Sequence, residues 1–295
     1  MKQIARQLGV FVLVALLAGC STRLAYNNLD WLAVRWIDRQ VSLDRDQRAA
    51  LRELIEEQQQ WHCATQLGEY QAWIEQVRLD LLSERLDQKR LVEHGDQLAT
   101  FGRSLTERIQ PLLVELAASL DDRQVDEILR GLDERIVRLR EEIGSRSDEQ
   151  WIIDRAEGME RRLSRLMGPL NSRQRQRLEV WAANLEATYA YQLAQRLYWR
   201  ERIAVALARR SARSFLETEI SALLDPASAW PDPYRRAIEA NRELTLEAIE
   251  DIVGLTGADQ RGRISARLSR LKNDFERLSC EGQASAALLA ATDSG

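Results

Sequence analysis

The stretch LDRDQRAALRELI, residues 43–55, decides the fold class of this chain. Three of its apolar residues recur on one helical face: Leu51, Leu54 and Ile55. Leu43 and Asp44 precede this face, and Gln47 stands three residues after Asp44. That order predicts a capping box, in which the first side chain accepts a bond from the third helical amide and the glutamine returns one. We therefore expect an amphipathic helix that begins directly after Asp44.

The same helix start recurs along the chain. The later copies are Leu120, Asp121 and Gln124; Leu170, Asn171 and Gln174; and Leu255 and Thr256, where one extra residue precedes the glutamine. Each cap contributes about 1 kcal/mol, enough to fix where a helix begins. The copies are spaced 77, 50 and 85 residues apart, too irregular for a solenoid. Two interpretations stay open: simple caps, or duplicated helical hairpins.

Composition favours an all-α fold. Fourteen glycines and five prolines interrupt 295 residues, while Leu, Ala, Glu, Arg and Gln dominate. We predict an elongated multi-helix bundle of antiparallel hairpins. The predicted helices span 24–40, 44–66, 68–86, 88–119, 121–142, 148–167, 171–222, 233–252 and 256–279. Pro111 should kink or restart the fourth of these, because proline lacks the amide donor.

Three of the five prolines cluster in residues 225–233, which we predict to be a linker. It would join a main helical body, residues 44–224, to a separate C-terminal helical hairpin, residues 234–280. The polar, small-residue stretch 281–295 predicts a disordered tail.

Residues 1–19 have the anatomy of a signal peptide. Lys2 and Arg6 are followed by an apolar run of eleven residues, Leu8 to Ala18. A membrane-spanning helix needs roughly 20 apolar residues, so this run is expected to target the chain and not to cross a bilayer.

The residues Leu17-Ala18-Gly19-Cys20 resemble the lipobox of bacterial lipoproteins, in which the cysteine is acylated. The alternative is an ordinary secretory signal with an incidental cysteine. The resemblance implies palmitate-type acylation of Cys20, and residues 20–43 would form a tether and first helix. Because Ser21 replaces the Asp typical of inner-membrane retention, we expect an outer-membrane lipoprotein whose body faces the periplasm.

Chemistry-bearing residues are few. Without residues 1–19, 40 basic residues face 46 acidic ones, and compartment argues against nucleic acid. Two histidines, His62 and His94, are too few for a zinc site, and no G-x-S-x-G elbow occurs. We predict no catalytic residue, no metal, no cofactor and no enzymatic activity.

Cys63 and Cys280 can form a disulfide in an oxidising compartment.

Two further groups of residues have alternative interpretations. The arginine-rich stretch 196–213 favours a solvated helix face over an anion-binding surface. Tyr26, Trp31 and Trp36 are typical of a membrane interface. However, one helical stripe favours packing on the body: Leu29, Leu32, Ala33, Trp36 and Ile37.

Two resemblances follow from these residues. The lipobox, the segment from Tyr26 to Asp38 and the segment from Trp61 to Tyr70 resemble an uncharacterised family of Gram-negative lipoproteins. The Leu-Asp-x-x-Gln starts are similar to the L-T-x-x-Q motif of the Spy and CpxP periplasmic chaperones. These resemblances imply a lipid-anchored protein that binds an envelope protein or an unfolded client, as a chaperone-like holder. The alternative is a structural, tethering accessory of the outer membrane or cell wall.

Overall fold

A computed structural model describes residues 24–278 and residue 280. The predicted signal peptide, the predicted lipidation residue Cys20 and the predicted tail lie outside the described residues. Across the described chain the regular structure is entirely helical, which confirms the predicted all-α class.

Residues 24–27 form a helical turn, and ten α-helices and one short 3-10 helix follow it in the described chain. The α-helices are α1 (Leu29–Asp38), α2 (Arg45–Leu82), α3 (Gln88–Ser119), α4 (Asp122–Ser145), α5 (Asp148–Met167), α6 (Ser172–Asn184), α7 (Tyr189–Ala208), α8 (Arg213–Leu224), α9 (Asp232–Gly254) and α10 (Ala258–Leu278). Within these ranges, no helix is both long enough and apolar enough to cross a membrane.

The central helix α2 is longer than predicted. Two helices were expected with a break near Gly68, but one helix of 38 residues runs through it, about 57 Å long at 1.5 Å per residue. A helical glycine costs only about 1 kcal/mol relative to alanine. The burial of Leu67 and Ile74 on either side outweighs that cost. The helix α3 likewise continues through Pro111, so the predicted restart there is wrong.

The single helix predicted for residues 171–222 is wrong, because the chain breaks twice to form α6, α7 and α8. At the first break, Asn241 of α9 accepts a bond from the Glu186 amide at 2.8 Å and donates to the Glu186 carbonyl at 3.0 Å. Arg155 of α5 donates to the Ala182 carbonyl at 2.9 Å. Tertiary contacts therefore satisfy the backbone groups that a helix would have paired.

Three core clusters lie along α2. Leu51 and Ile55 join a first cluster built with α1, α3, α4 and α7. Leu67 and Ile74 join a second with α10. Leu81 joins a third with α5, α6, α9 and α10. The helix α2 therefore connects both ends of the molecule through its buried face.

The C-terminal helices are not the separate hairpin that was predicted. Residues Pro226–Ala229 of the predicted linker form the 3-10 helix. Beyond it, α9 packs on α6 and α3, and α10 packs on α2 and α5. Ala248 and Ile252 of α9 and Ile264 of α10 belong to one core with Leu178 of α6. The apolar faces of α9 and α10 pack against helices of the main body, so these two helices do not form a separate unit after the prolines.

A disulfide joins Cys63 of α2 to Cys280, with α-carbons 5.2 Å apart. It closes a separation of 217 residues. In the chain-entropy description, a loop of this size stabilises the folded state by about 5 kcal/mol. The bond ties the end of the described chain to the middle of α2.

Candidate functional site

The first two repeated helix starts meet in the folded protein. Asp44 and Asp121 each form a capping box with the glutamine three residues later. The two glutamines then bond to each other: Nε2 of Gln47 donates to Oε1 of Gln124 at 3.0 Å, and Nε2 of Gln124 donates to Oε1 of Gln47 at 2.6 Å. Each Nε2 also donates to a carbonyl beside the other motif, at Ser119 and Ser42. We call Gln47 and Gln124 the first glutamine pair.

A second glutamine pair, Gln174 and Gln260, repeats this arrangement at the other end of the molecule. Their amides exchange bonds of 3.0 and 3.1 Å. Gln174 also donates to the Ile252 carbonyl, and Gln260 donates to the Pro169 carbonyl. Asn171 and Gln174 complete a third capping box. The four predicted starts are thus two pairs, each joining a helix start to one far along the chain.

The fourth start departs from the predicted cap. The Thr256 hydroxyl donates to the Val253 carbonyl at 2.6 Å, and so it closes the end of α9. Because of the extra residue, Gly257 directly precedes α10, and its carbonyl accepts the first bond of that helix from Arg261. Leu255 is half-buried, whereas Leu43, Leu120 and Leu170 are core residues.

Sequence reasoning identified the caps but missed the pairing. The signal was the choice of glutamine in all four copies. Glutamate can also complete a capping box, but it has no donor and brings a charge that is costly to bury. A glutamine amide accepts the cap bond and still donates two bonds elsewhere. Because the four glutamines are at most 9% exposed, these motifs are interior junctions, inaccessible to a client in the folded state.

The arginine-rich stretch 196–213 was expected to be a solvated face of one helix. It spans two helices, and several of its arginines join helices together. Arg200 of α7 makes a bidentate pair with Asp133 of α4, both bonds at 2.8 Å. Arg202 pairs with Glu219 of α8, and Arg213 of α8 with Glu115 of α3. These contacts brace α7 and α8 against their neighbours.

The predicted stripe on α1 divides between two faces. Val34 is buried in the first core, with Ala33 and Ile37 packed beside it. In contrast, Leu32 is 40% exposed and Trp36 is 59% exposed. The prediction that the whole stripe packs on the body is therefore wrong. The buried face of α1 is instead centred on Val34, because that face meets Leu51 and Ile55 of α2.

The aromatic residues near the chain start also divide. Tyr26 packs against α2, where its hydroxyl lies 3.1 Å from Nδ1 of His62 and 3.3 Å from the Gln59 carbonyl. Burial lowers the pKa of His62 to about 4. Trp31 of α1 is 49% exposed. Tyr26 therefore ties the segment before α1 to the body, while about half of the Trp31 side chain stays exposed.

His94 has a separate, structural environment. Its Nε2 lies 3.1 Å from Asp80, a carboxylate with no exposed surface. Burial alone would raise the pKa of Asp80, but a hydrogen bond from Gln76 and the charge of Arg90 outweigh it and hold the pKa below its usual value. This carboxylate links the end of α2 to the start of α3.

A cleft of about 480 Å³ lies beside the disulfide, with Glu56 and Arg277 as its charged side chains. Among the described residues, no group of three His, Cys, Asp or Glu side chains is placed to hold a metal ion.

The sequence profile of a family of unknown function, DUF6279, matches residues 39–235. No curated protein and no solved structure matches the chain.

Replacing Gln124 with methionine should destabilise the protein by about 2–4 kcal/mol, because the change removes the acceptor of the Asp121 amide and leaves the Gln47 amide and the Ser42 carbonyl short of partners. Urea unfolding measures this difference. Gln150→Met is the matched control, since Gln150 holds the same position in the exposed start of α5 and makes no buried pair. The control should cost less than about 1 kcal/mol. Equal losses in the two variants would contradict a special role for the first glutamine pair.

Stability should fall as pH drops through the titration range of His62. Its folded pKa of about 4 lies below the usual 6.5, so the unfolded state takes up the proton first. The contribution of neutral His62 to the free energy of unfolding is complete above about pH 6.5. The free energy of unfolding should decline by about 2 kcal/mol between about pH 7.5 and about pH 5. Urea unfolding at these two pH values measures the decline. His62→Gln, which leaves His94 in place, should show a smaller decline, and an unchanged one would refute the assignment.

Proposed function

Because the chain belongs to the DUF6279 family, whose function is unknown, we propose a role from the geometry of the described residues. This protein is a lipid-anchored structural accessory of the outer membrane. It is tethered through acylated Cys20, and its helical body holds an envelope partner at a fixed position in the periplasm.

The observation that carries this proposal is the way α1 joins the body. This helix begins nine residues after Cys20 and packs its inner face into the first core through Val34. Arg52 and Arg48 of α2 pair with Asp30 and Asp38 of α1. A lipid on Cys20 would therefore be separated from a packed helix by a short segment, and not by a long linker.

Rigidity along the molecule supports the same role. Three links join distant parts of the chain. The first glutamine pair and the disulfide each attach to α2, and the second glutamine pair joins α6 to α10. The arginine ion pairs add contacts between α7 and α4 and between α8 and α3. A braced body more than 50 Å long can transmit a position from the membrane to a partner without bending.

The tethering role predicts that function depends on the lipid. In the native host, the full chain should carry acyl groups on Cys20, detectable by intact mass, and should fractionate with the outer membrane. A strain that lacks the protein should be sensitive to detergent. Restoring the full chain should return the resistance of that strain. Residues 21–295 exported behind a non-lipid signal peptide form the control, because they retain every described helix but lack the anchor. Equal rescue by this soluble body would reject tethering.

A second candidate function, holding unfolded clients, is favoured by the exposed apolar side chains of α1. Leu32 and Trp36 present an apolar surface that an unfolded chain could contact. The buried glutamine pairs argue that the L-T-x-x-Q resemblance reflects helix junctions and supplies no client surface.

Client holding is tested by the aggregation of an unfolded model protein in the presence of residues 21–295. Suppression near one-to-one ratio, lost in the variant Leu32→Ser/Trp36→Ser, would support holding. A matched variant, Leu79→Ser/Leu98→Ser, changes exposed apolar residues elsewhere and should leave suppression intact. A reductant arm tests whether the Cys63–Cys280 bond contributes. No suppression by the unmodified body would eliminate this second function.

A further inference from the structure

Exposed apolar side chains concentrate at one end of the described chain. Of the fourteen large apolar side chains that are exposed among the described residues, five lie within residues 24–36. They are Leu24, Leu29, Trp31, Leu32 and Trp36. The other nine are distributed over residues 79–205. This concentration distinguishes the start of the fold from the rest of the surface, where single exposed apolar residues are ordinary.

The charges of α1 are sorted between its two faces. Asp30 and Asp38 turn toward α2, where Arg52 and Arg48 pair with them. Arg35 and Arg39 are exposed on the outer side, and neither makes an ion pair with a described side chain. The Arg35 guanidinium lies 5.1 Å from the centre of the Trp31 ring. The outer face therefore combines two indole rings, aliphatic side chains and two unpaired positive charges.

This composition fits the interface of a lipid bilayer. Indole rings favour the headgroup level, and exposed arginines attract anionic phosphate groups. A helix with these two features on one face lies in the plane of the interface, with its apolar side chains among the upper acyl segments. We name the outer face of α1, meaning Trp31, Leu32, Arg35, Trp36 and Arg39, the membrane face.

The position of this face agrees with the anchor. Leu24 is four residues from Cys20, so a fully extended chain places it within about 14 Å of the acylated residue. Whatever the path of those four residues, the start of α1 cannot move far from the membrane surface once Cys20 carries lipid.

We infer that the membrane face of α1 rests in the interfacial layer of the membrane that holds the acyl chains, where Trp31 and Trp36 insert and Arg35 and Arg39 contact anionic phosphate. This inference rests on the proposed lipid anchor. It adds a second attachment: the lipid on Cys20 limits the distance of the body from the membrane, and an inserted helix packed on α2 sets the orientation of the body.

The test uses the full chain, purified from membranes and reconstituted into phosphatidylcholine and phosphatidylglycerol vesicles that contain brominated lipids. Bromine near the top of the acyl chains should quench tryptophan fluorescence more than bromine near the bilayer centre. Trp31→Phe/Trp36→Phe should abolish most of the quenching, because it removes the two indole rings proposed to insert; both are exposed and neither belongs to the first core cluster. The matched control Trp151→Phe/Trp230→Phe, in α5 and in the connection before α9, should retain it.

A second pair of variants tests the charges. Arg35→Glu/Arg39→Glu should reduce quenching in phosphatidylglycerol vesicles. Lys89→Glu/Arg103→Glu, which reverses two exposed cations on α3, should not. Quenching that is absent, or unchanged by Trp31→Phe/Trp36→Phe, overturns the inference. The intact mass of the same sample reports acylation of Cys20 separately, so failure of the anchor and failure of the membrane face are distinguishable.

Discussion

The rest of the structure depends on two buried pairs of glutamine amides. Three of the four amides, those of Gln47, Gln124 and Gln174, complete a helix cap through the oxygen, and all four use the nitrogen to reach across to the other start. The first pair joins residues 77 positions apart, and the second joins residues 86 positions apart. Because a buried amide is costly unless every bond is made, each pair specifies which two helix starts must meet. The helices between them are then arranged by packing.

The remaining polar groups largely serve the same assembly. Arg200 joins α7 to α4, Arg213 joins α8 to α3, and Asp80 closes the turn between α2 and α3. Residues that look functional in the sequence are thereby used for structure. The outer face of α1 is different, since Trp31 and Trp36 are 49% and 59% exposed and Arg35 lies over the Trp31 ring. That contrast is the reason for placing the membrane face there.

Helix starts were predictable because capping is local. Asp44, Asp121 and Asn171 bond to amides only three residues away, so neighbouring sequence contains the needed information. Helix interruptions were less predictable. The break after α6 depends on Asn241, which lies 55 residues from Glu186 and reaches it only in the folded chain. Likewise, Gly68 failed to end α2 because distant residues bury its neighbours.

By itself, the sequence determined the helical class, the capped helix starts and the amphipathic character of their first turns, because these properties arise from contacts within a few residues. Only the tertiary structure decided that the starts form glutamine pairs, that Cys280 reaches Cys63, and that Trp36 faces outward while Ile37 packs inward. Adjacent apolar residues on α1 have similar local patterns. Which of them is buried depends on where α2 lies, and that position is set by residues far along the chain.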